Sequence, residues 1–331
     1  MMIIEHHKKI HVRLIKMGKF IVLDIVFYAN SLNYDQGSGN IQELKKITKW
    51  DGKQYTLVSR YALRYSMLHH AHSLFGNKWS LAGSENLSND QGVVQAKGEP
   101  KDLIKNFPEF DLFGYMMTAS EKAAATRPAV AALSHAVSLA PFNYDSHFNA
   151  NLDVVKRSGK LTSINPFTRE EHYSYYVYSV VIDCSRLGKV DGDNEPVLGD
   201  DKKIERINQL IDVILTLKRQ IKGEREDLSP KILVVGLYNN TPYESFKDRL
   251  ALADEYEEES TQTEEKVENG TKIIRRIVKT NKPKFEIYGL EAPTIVDETK
   301  IKDEIEKFMK QDESSSVLLY NVPEIKVECK T

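Results

Sequence analysis

The chain of 331 residues carries only two cysteines, Cys184 and Cys329, too few for a disulfide framework or a four-cysteine zinc site. It also lacks a run of about 18 consecutive apolar residues, the length that a membrane-spanning helix needs. The stretch that comes nearest, DLFGYMMTASEKAAATRPAVAALSHAVSLAP (111–141), is interrupted by Glu121, Lys122, Arg127 and Pro128. The opening MMIIEHHKKIHVRLIKMGKF threads charges through its apolar residues, so it has no unbroken signal-peptide core. A soluble, cytoplasmic protein with no membrane partner is expected. Two catalytic signatures are missing as well. GSGN (37–40) is not followed by Lys and Ser/Thr as in a phosphate-binding loop, and no nucleophile elbow occurs. No cofactor and no metal are expected.

What is present can build a full core, since 41% of the residues are hydrophobic. The net charge of −2 conceals an asymmetry. Residues 1–190 carry 23 Lys+Arg against 17 Asp+Glu, residues 191–331 carry 23 against 31, and all nine histidines lie in the first part. A basic part joined to an acidic part suggests a polyanion partner on one face, although ordinary solvated surface gives the same imbalance.

The order of elements is more informative. KFIVLDIVFYA (19–29) is β-branched and aromatic over the length of a buried strand, and SLNYDQGSGN (31–40) is turn-rich. YTLVSRYALRYSMLHHAHSLF (55–75) sets Leu57, Tyr61, Leu68 and His72 near one helical face, with Ser59 as N-cap, which predicts a helix. Residues 76–110 have no sustained period and read as an irregular insertion. VAALSHAVSL (130–139), limited by Pro128 and Pro141, reads as a strand. HYSYYVYSVVIDCSRLG (172–188) gives the strongest strand signal. DKKIERINQLIDVILTLKRQIKG (201–223) is an amphipathic helix with glycine at its end, and PKILVVGLYNN (230–240) is a buried strand. The order strand, helix, strand, strand, helix, strand predicts an α+β fold: a ferredoxin-like (RRM-type) antiparallel sheet with helices on one face. Residues 1–240 form this core and 241–331 an acidic, partly flexible C-terminal region packing on it.

Two inserts depart from the minimal fold, at about 76–129 and about 140–171, and long inserts in compact domains are usually functional or disordered. The second holds a basic turn (Lys156, Arg157, Gly159, Lys160) among Phe142, Tyr144, Phe148 and Phe167. Cations for phosphates and rings for bases suit a nucleic acid strand. A decorated surface hairpin has the same composition.

Four ordered segments, SLNYD, VSRYALRYSM, FDLFGYM followed by RPAVAALSHAVSLAP, and HYSYYVYSVVIDCSRLG, together resemble the DevR-type CRISPR-associated autoregulator family, the backbone subunit of type I-B Cascade-like surveillance complexes. The resemblance covers about residues 19–240. It implies a palm formed by the core, fingers formed by the first insert and a thumb formed by the second. It further implies partners: a CRISPR guide RNA, the target DNA strand reached through that guide, copies of the same chain in a helical filament, and other Cascade-type subunits. Carried over by position, Asn33, Tyr34, Ser59, Arg60 and Arg64 line the RNA groove. Lys122 and Arg127 reach it from the finger loop, and Phe148, Lys156, Arg157, Lys160 and Arg169 from the thumb.

Catalysis is not expected. His69 and His72 share a helical face, so a metal or an acid/base pair is conceivable there, but no second pair of ligands stands at matching spacing. Asp35 lies where related type III backbone subunits carry a cleaving acidic residue, whereas the type I-B resemblance implies cleavage by a separate nuclease. The alternative is a CRISPR RNA-processing ribonuclease with histidine acid/base chemistry. The tail EIKVECKT lacks the glycine-rich loop of such enzymes, which favours the scaffold. Region 250–282 joins an acidic run to a basic one and reads as solvated or disordered.

Overall fold

A computed structural model describes residues 18–37, 39–90, 93–117, 125–150, 152–159, 166–253, 256–266, 272–311 and 313–331. Strand β1 (Lys19–Ala29) leads to the hairpin of β2 (Lys46–Thr48) and β3 (Gln54–Val58) and then to helix α1 (Arg60–Phe75). The short strands β4 (Ala131–Leu133) and β5 (Ala136–Ser138) follow the first insert. After the second come β6 (Ser174–Asp183), α2 (Asp200–Leu215) and β7 (Ile232–Asn239). The C-terminal region adds β8 (Thr294–Ile295), α3 (Glu298–Lys310) and β9 (Ser316–Asn321).

These strands make one mixed sheet in the order β8-β9-β7-β1-β6-β5-β3-β2, with β4 beside β6 off that path. β1 is antiparallel to β6, with Phe20 opposite Asp183 and Ala29 opposite Ser174, and to β7, with Val26 opposite Ile232. Both faces of β1 are covered. On one, Ile21, Leu23, Ile25 and Phe27 pack with α1, α2 and α3 through residues such as Met67, Ile211 and Phe308. On the other, Val26 joins Val177 and Val234 beneath Phe285 and Ile287. Those two belong to a second sheet of strands Leu250–Leu252, Lys284–Tyr288 and Lys326–Lys330. Burial on both sides explains why β1 reads as a nearly continuous apolar run. Its polar exception, Asp24, accepts from Phe246 N at 2.6 Å and Ser245 Oγ at 2.7 Å, and burial raises its carboxyl pKa.

Several sequence expectations need correction. Residues 54–58 are strand, and the helix begins only at Arg60. Its buried residues are Leu63, Ser66, Met67 and Ala71, whereas Tyr61 is exposed. The alternation of β3 runs straight into the helix pattern, so a single period fits neither half. Residues 130–139 make two short strands along one neighbour, β4 opposite Val180–Ile182 and β5 opposite Tyr176 and Val177, broken at Ser134 and His135. Residues 76–110 hold the hairpin of Leu87–Asp90 and Val93–Ala96 and the helix Pro100–Asn106. α2 stops at Leu215, and Gly223 turns a hairpin instead (φ 89°). Residues 256–266 and 272–282 pair as a two-stranded ribbon. The C-terminal region supplies a helix and two strands of the main sheet. No helix among the described residues is long and apolar enough to cross a membrane.

The first insert is anchored by charge. FDLFGYM forms the end of the short helix Pro108–Phe113, closed by Gly114 (φ 74°). A Cβ on Gly114 would sit 2.1 Å from the Arg127 carbonyl oxygen, so only glycine lets the returning chain pass. The fully buried Asp111 accepts from Arg127 Nη2 at 2.8 Å, Arg206 Nη1 at 2.5 Å and Gly188 N at 3.0 Å. One carboxylate thereby joins the insert, α2 and the turn after β6. Arg127 also donates to the carbonyls of Lys189 (2.7 Å) and Arg186 (3.0 Å). This corrects the expectation that Arg127 reaches outward on a loop: its guanidinium is buried, and both terminal nitrogens donate to internal acceptors. Removing one member of such a buried cluster strands the others without compensation. Asp111→Ala is therefore expected to lower unfolding free energy by about 3–5 kcal/mol in urea denaturation, and a change below about 1 kcal/mol contradicts the anchoring role.

Candidate nucleic-acid interface

The first N–H groups of a helix have no intrahelical partners, and around the start of α1 three separate segments supply acceptors. Ser59 Oγ accepts from Ala62 N at 3.2 Å, as its type and place predict. Asn33 Oδ1 accepts from Ser59 N at 2.9 Å, and His135 Nδ1 from Arg60 N at 2.9 Å. Asn33 is itself held because its carbonyl accepts from Lys45 N, while the Lys45 carbonyl accepts from Leu57 N on β3, both at 2.8 Å. The loop after β1, the strand before α1 and the break between β4 and β5 thus converge on one helix terminus.

Arg60 and Arg64 leave this helix one turn apart, on the same side. Arg60 Nη2 donates to Tyr61 Oη at 3.1 Å, with its guanidinium 5.0 Å from that ring. Arg64 lies 5.6 Å over the Phe113 ring, and burial lowers its pKa. Neither arginine makes an ion pair among the described residues. They line a cleft of about 270 Å³ with Tyr61, Phe113, Ala131 and Leu133. The Glu109 carboxylate acts on Arg64 only through space, so two guanidinium groups outside direct ion pairs, an exposed phenol ring and an apolar floor can hold a phosphate and a flat ring together.

The other expected residues are distributed differently. Tyr34 and Arg169 form an internal clasp. Tyr34 Oη donates to the Glu170 carbonyl at 3.3 Å, and burial pushes its pKa up to about 12. The Arg169 guanidinium lies 5.8 Å from the Tyr34 ring and pairs with Glu224 at 3.1 Å. This corrects the view of both as open contacts, because their polar ends are occupied within the protein. Phe148 is 68% exposed, on the strand Ser146–Asn149, which pairs with Phe167–Glu170. Lys156 and Arg157 are exposed on the short helix Leu152–Arg157, with Arg157 Nη2 2.7 Å from Asp153. Lys122 and Lys160 lie outside the described residues. Sequence reasoning missed His135 and Phe113 as parts of the site; the one signal for His135 was its place at the break in 130–139.

Comparison with known proteins places the sequence in a family. The profile of the family described as "CRISPR-associated negative auto-regulator DevR/Csa2" matches residues 21–261. This chain belongs to the DevR/Csa2 family. The match contains all the candidate residues from Asn33 to Arg169. A "CRISPR-associated protein Cas7/Cst2/DevR" of Myxococcus xanthus (strain DK1622) is 29% identical over 154 residues, covering 44% of this chain and 50% of the relative. The chain thus spans about half the length of that relative. Two solved structures also match. A chain of a "CRISPR RNA-guided surveillance complex, pre-nicking" aligns over 70% of this chain and 81% of its own length, at 12% identity and TM-score 0.49. A chain of a "CRISPR RNA-guided surveillance complex" aligns over 70% and 73%, at 12% identity and TM-score 0.46.

In this DevR/Csa2 chain the residues considered for chemistry are engaged elsewhere. His72 Nδ1 lies 3.0 Å from the Trp79 carbonyl, and the His69 ring packs 4.2 Å from that of Tyr65. Asp35 is exposed and pairs with Lys45 at 2.8 Å, which lowers its pKa. No group of three or more His, Cys, Asp or Glu among the described residues is arranged to hold a metal ion.

The cap makes stability depend on pH. To accept the Arg60 N–H, His135 Nδ1 must be unprotonated. Burial first and Arg60 second lower its pKa; burial also lowers those of His172 and, with Lys218 as a smaller cause, His70. The folded state favours the neutral rings, while the unfolded chain protonates them near pH 6.5, so the unfolded state binds more protons as pH falls. These rings make the midpoint of thermal unfolding fall between pH 7 and 5, while the raised carboxyls of Asp24 and Glu109 act in the opposite sense, so the cap is read as a difference: the midpoint of His135→Asn is expected to fall less than that of the wild type through this window. A fall equal to or greater than that of the wild type contradicts the assignment.

Proposed function

We propose that this chain is a non-catalytic CRISPR RNA-binding backbone subunit. In this reading it polymerises along the guide RNA in a type I-B surveillance complex of the cytoplasm, meeting the target DNA strand through the guide, and other Cascade-type subunits. The observation that carries the reading is the pair Arg60 and Arg64, neither in a direct ion pair among the described residues, beside an exposed ring and a cleft. Such a pair clamps phosphates bidentately and reads no base edge. The alternation of β1, α1, β5, β6, α2 and β7, with β7-β1-β6-β5 as neighbours, supports a ferredoxin-like palm. The hairpin insert with exposed Phe148, Lys156 and Arg157 supports a thumb. The ribonuclease alternative is weaker, because His72 faces a backbone carbonyl and His69 a tyrosine ring.

The test is binding of labelled single-stranded RNA, followed by anisotropy across a salt series. RNAs of equal length and scrambled sequence are expected to bind alike, with affinity falling steeply with salt. Arg60→Ala with Arg64→Ala should reduce the log–log salt slope by about 1.4, two phosphate contacts at about 0.7 each. An unchanged slope, or scrambled RNAs differing several hundredfold, contradicts the reading. Mixing with longer RNAs should give a length-dependent ladder of assemblies on size exclusion and no cleavage products.

A further inference from the structure

The chain has two tryptophans in opposite situations. Trp79 is 1% exposed, whereas Trp50 is 97% exposed at the tip of the β2–β3 hairpin. Large aromatic side chains are seldom left so fully in water. Nothing about this tip is loose. Lys49 N donates to the Lys53 carbonyl at 3.1 Å, Gly52 N to the Lys49 carbonyl at 3.0 Å, and Gly52 takes the φ of 74° that the turn requires. The Asp51 carboxylate closes the turn by accepting from Lys53 N at 3.0 Å and Tyr55 Oη at 2.7 Å, while Lys49 Nζ lies 4.0 Å over the Tyr55 ring. The strands below it are paired, Ile47 opposite Tyr55 and Thr48 opposite Gln54. The ring is held out by a locked scaffold.

We propose that Trp50 is a stacking platform for a base of a single-stranded nucleic acid, a second contact point beyond the arginine cleft. The neighbourhood decides between ligands. A protein-docking aromatic normally clusters with other anchors in a packed pocket, whereas the turn around Trp50 consists of Lys49, Asp51, Gly52 and Lys53, charged residues and a glycine. Lys53, exposed beside it, suits a phosphate chain. A bare ring beside a cation is an arrangement on which unpaired bases stack, and a duplex keeps its bases inside. Trp50 and Arg60 are ten positions apart, so their Cα atoms lie within about 36 Å, a span that one strand can bridge.

The proposal rests on the nucleic-acid-binding reading above, and the protein carries its own reporter for it. The full chain is titrated with a 12-nucleotide single-stranded RNA, and in a parallel arm with the DNA of the same sequence. Intrinsic tryptophan emission is followed alongside the anisotropy of labelled strands. Expected is quenching of the exposed emission component at saturation, in one arm or both, which identifies the strand taken. The buried Trp79 component should stay constant, and Trp50→Phe should retain only that component. Trp50→Ala should weaken binding about 5- to 150-fold, the range of one lost base stack, without changing the salt slope, because the ring contacts no phosphate. Binding by anisotropy with neither quenching nor loss in Trp50→Ala overturns the proposal and leaves the arginine cleft standing. Emission that changes with protein concentration alone, and not with RNA or DNA, assigns Trp50 to a contact between copies and also overturns it. Absence of all binding sinks both readings together.

Discussion

The start of helix α1 is the constraint on which the site depends. A helix cannot end with bare N–H groups in a packed setting, and here Ser59, Asn33 and His135 serve as acceptors from three different segments. The cost of an unmade bond at each fixes where the loop after β1, the strand β3 and the break between β4 and β5 must lie. Once they are placed, Arg60 and Arg64 have little choice of direction. Phe113, brought in by the first insert, closes the far wall of the cleft.

The second organising element is electrostatic. Asp111 has no exposed surface, so its charge must be answered on the spot, and Arg127 and Arg206 answer it from different elements. Arginines inside the protein and arginines at the cleft therefore differ in kind. The terminal nitrogens of Arg127 and Arg206 are held by carboxylates and carbonyls inside the protein, while Arg60 and Arg64 lie against aromatic rings at the cleft, Arg60 also donating to the Tyr61 hydroxyl. Only the second kind faces the cleft, where an anion can reach it.

Much of the core was legible because its signals are local. β1, β6 and β7 are apolar runs of strand length, α2 carries a clear helical stripe, and Ser59 is a cap by residue type. What escaped was either non-local or mixed in period. The junction at Val58 and Ser59 hides a strand inside a helical-looking stretch. Arg127 looked like a loop cation because its partners, Asp111 and the turn carbonyls at 186 and 189, come from elsewhere in the chain. His135 looked like a strand residue because its role exists only when the helix start lies beside it. The cleft residues Arg60 and Arg64 could be named from sequence, but that neither forms a direct ion pair among the described residues could not, since that is a property of the assembled surface.

The central claim is that nucleic acid lies along the cleft at the start of α1, and photochemical cross-linking of the intact protein to single-stranded RNA, with peptide mapping by mass spectrometry, tests it most directly. The account predicts cross-links on peptides containing Tyr61, Tyr65 and Phe148, whose rings are exposed. Cross-links confined to α3 or to the small sheet of residues 250–252, 284–288 and 326–330 would contradict it.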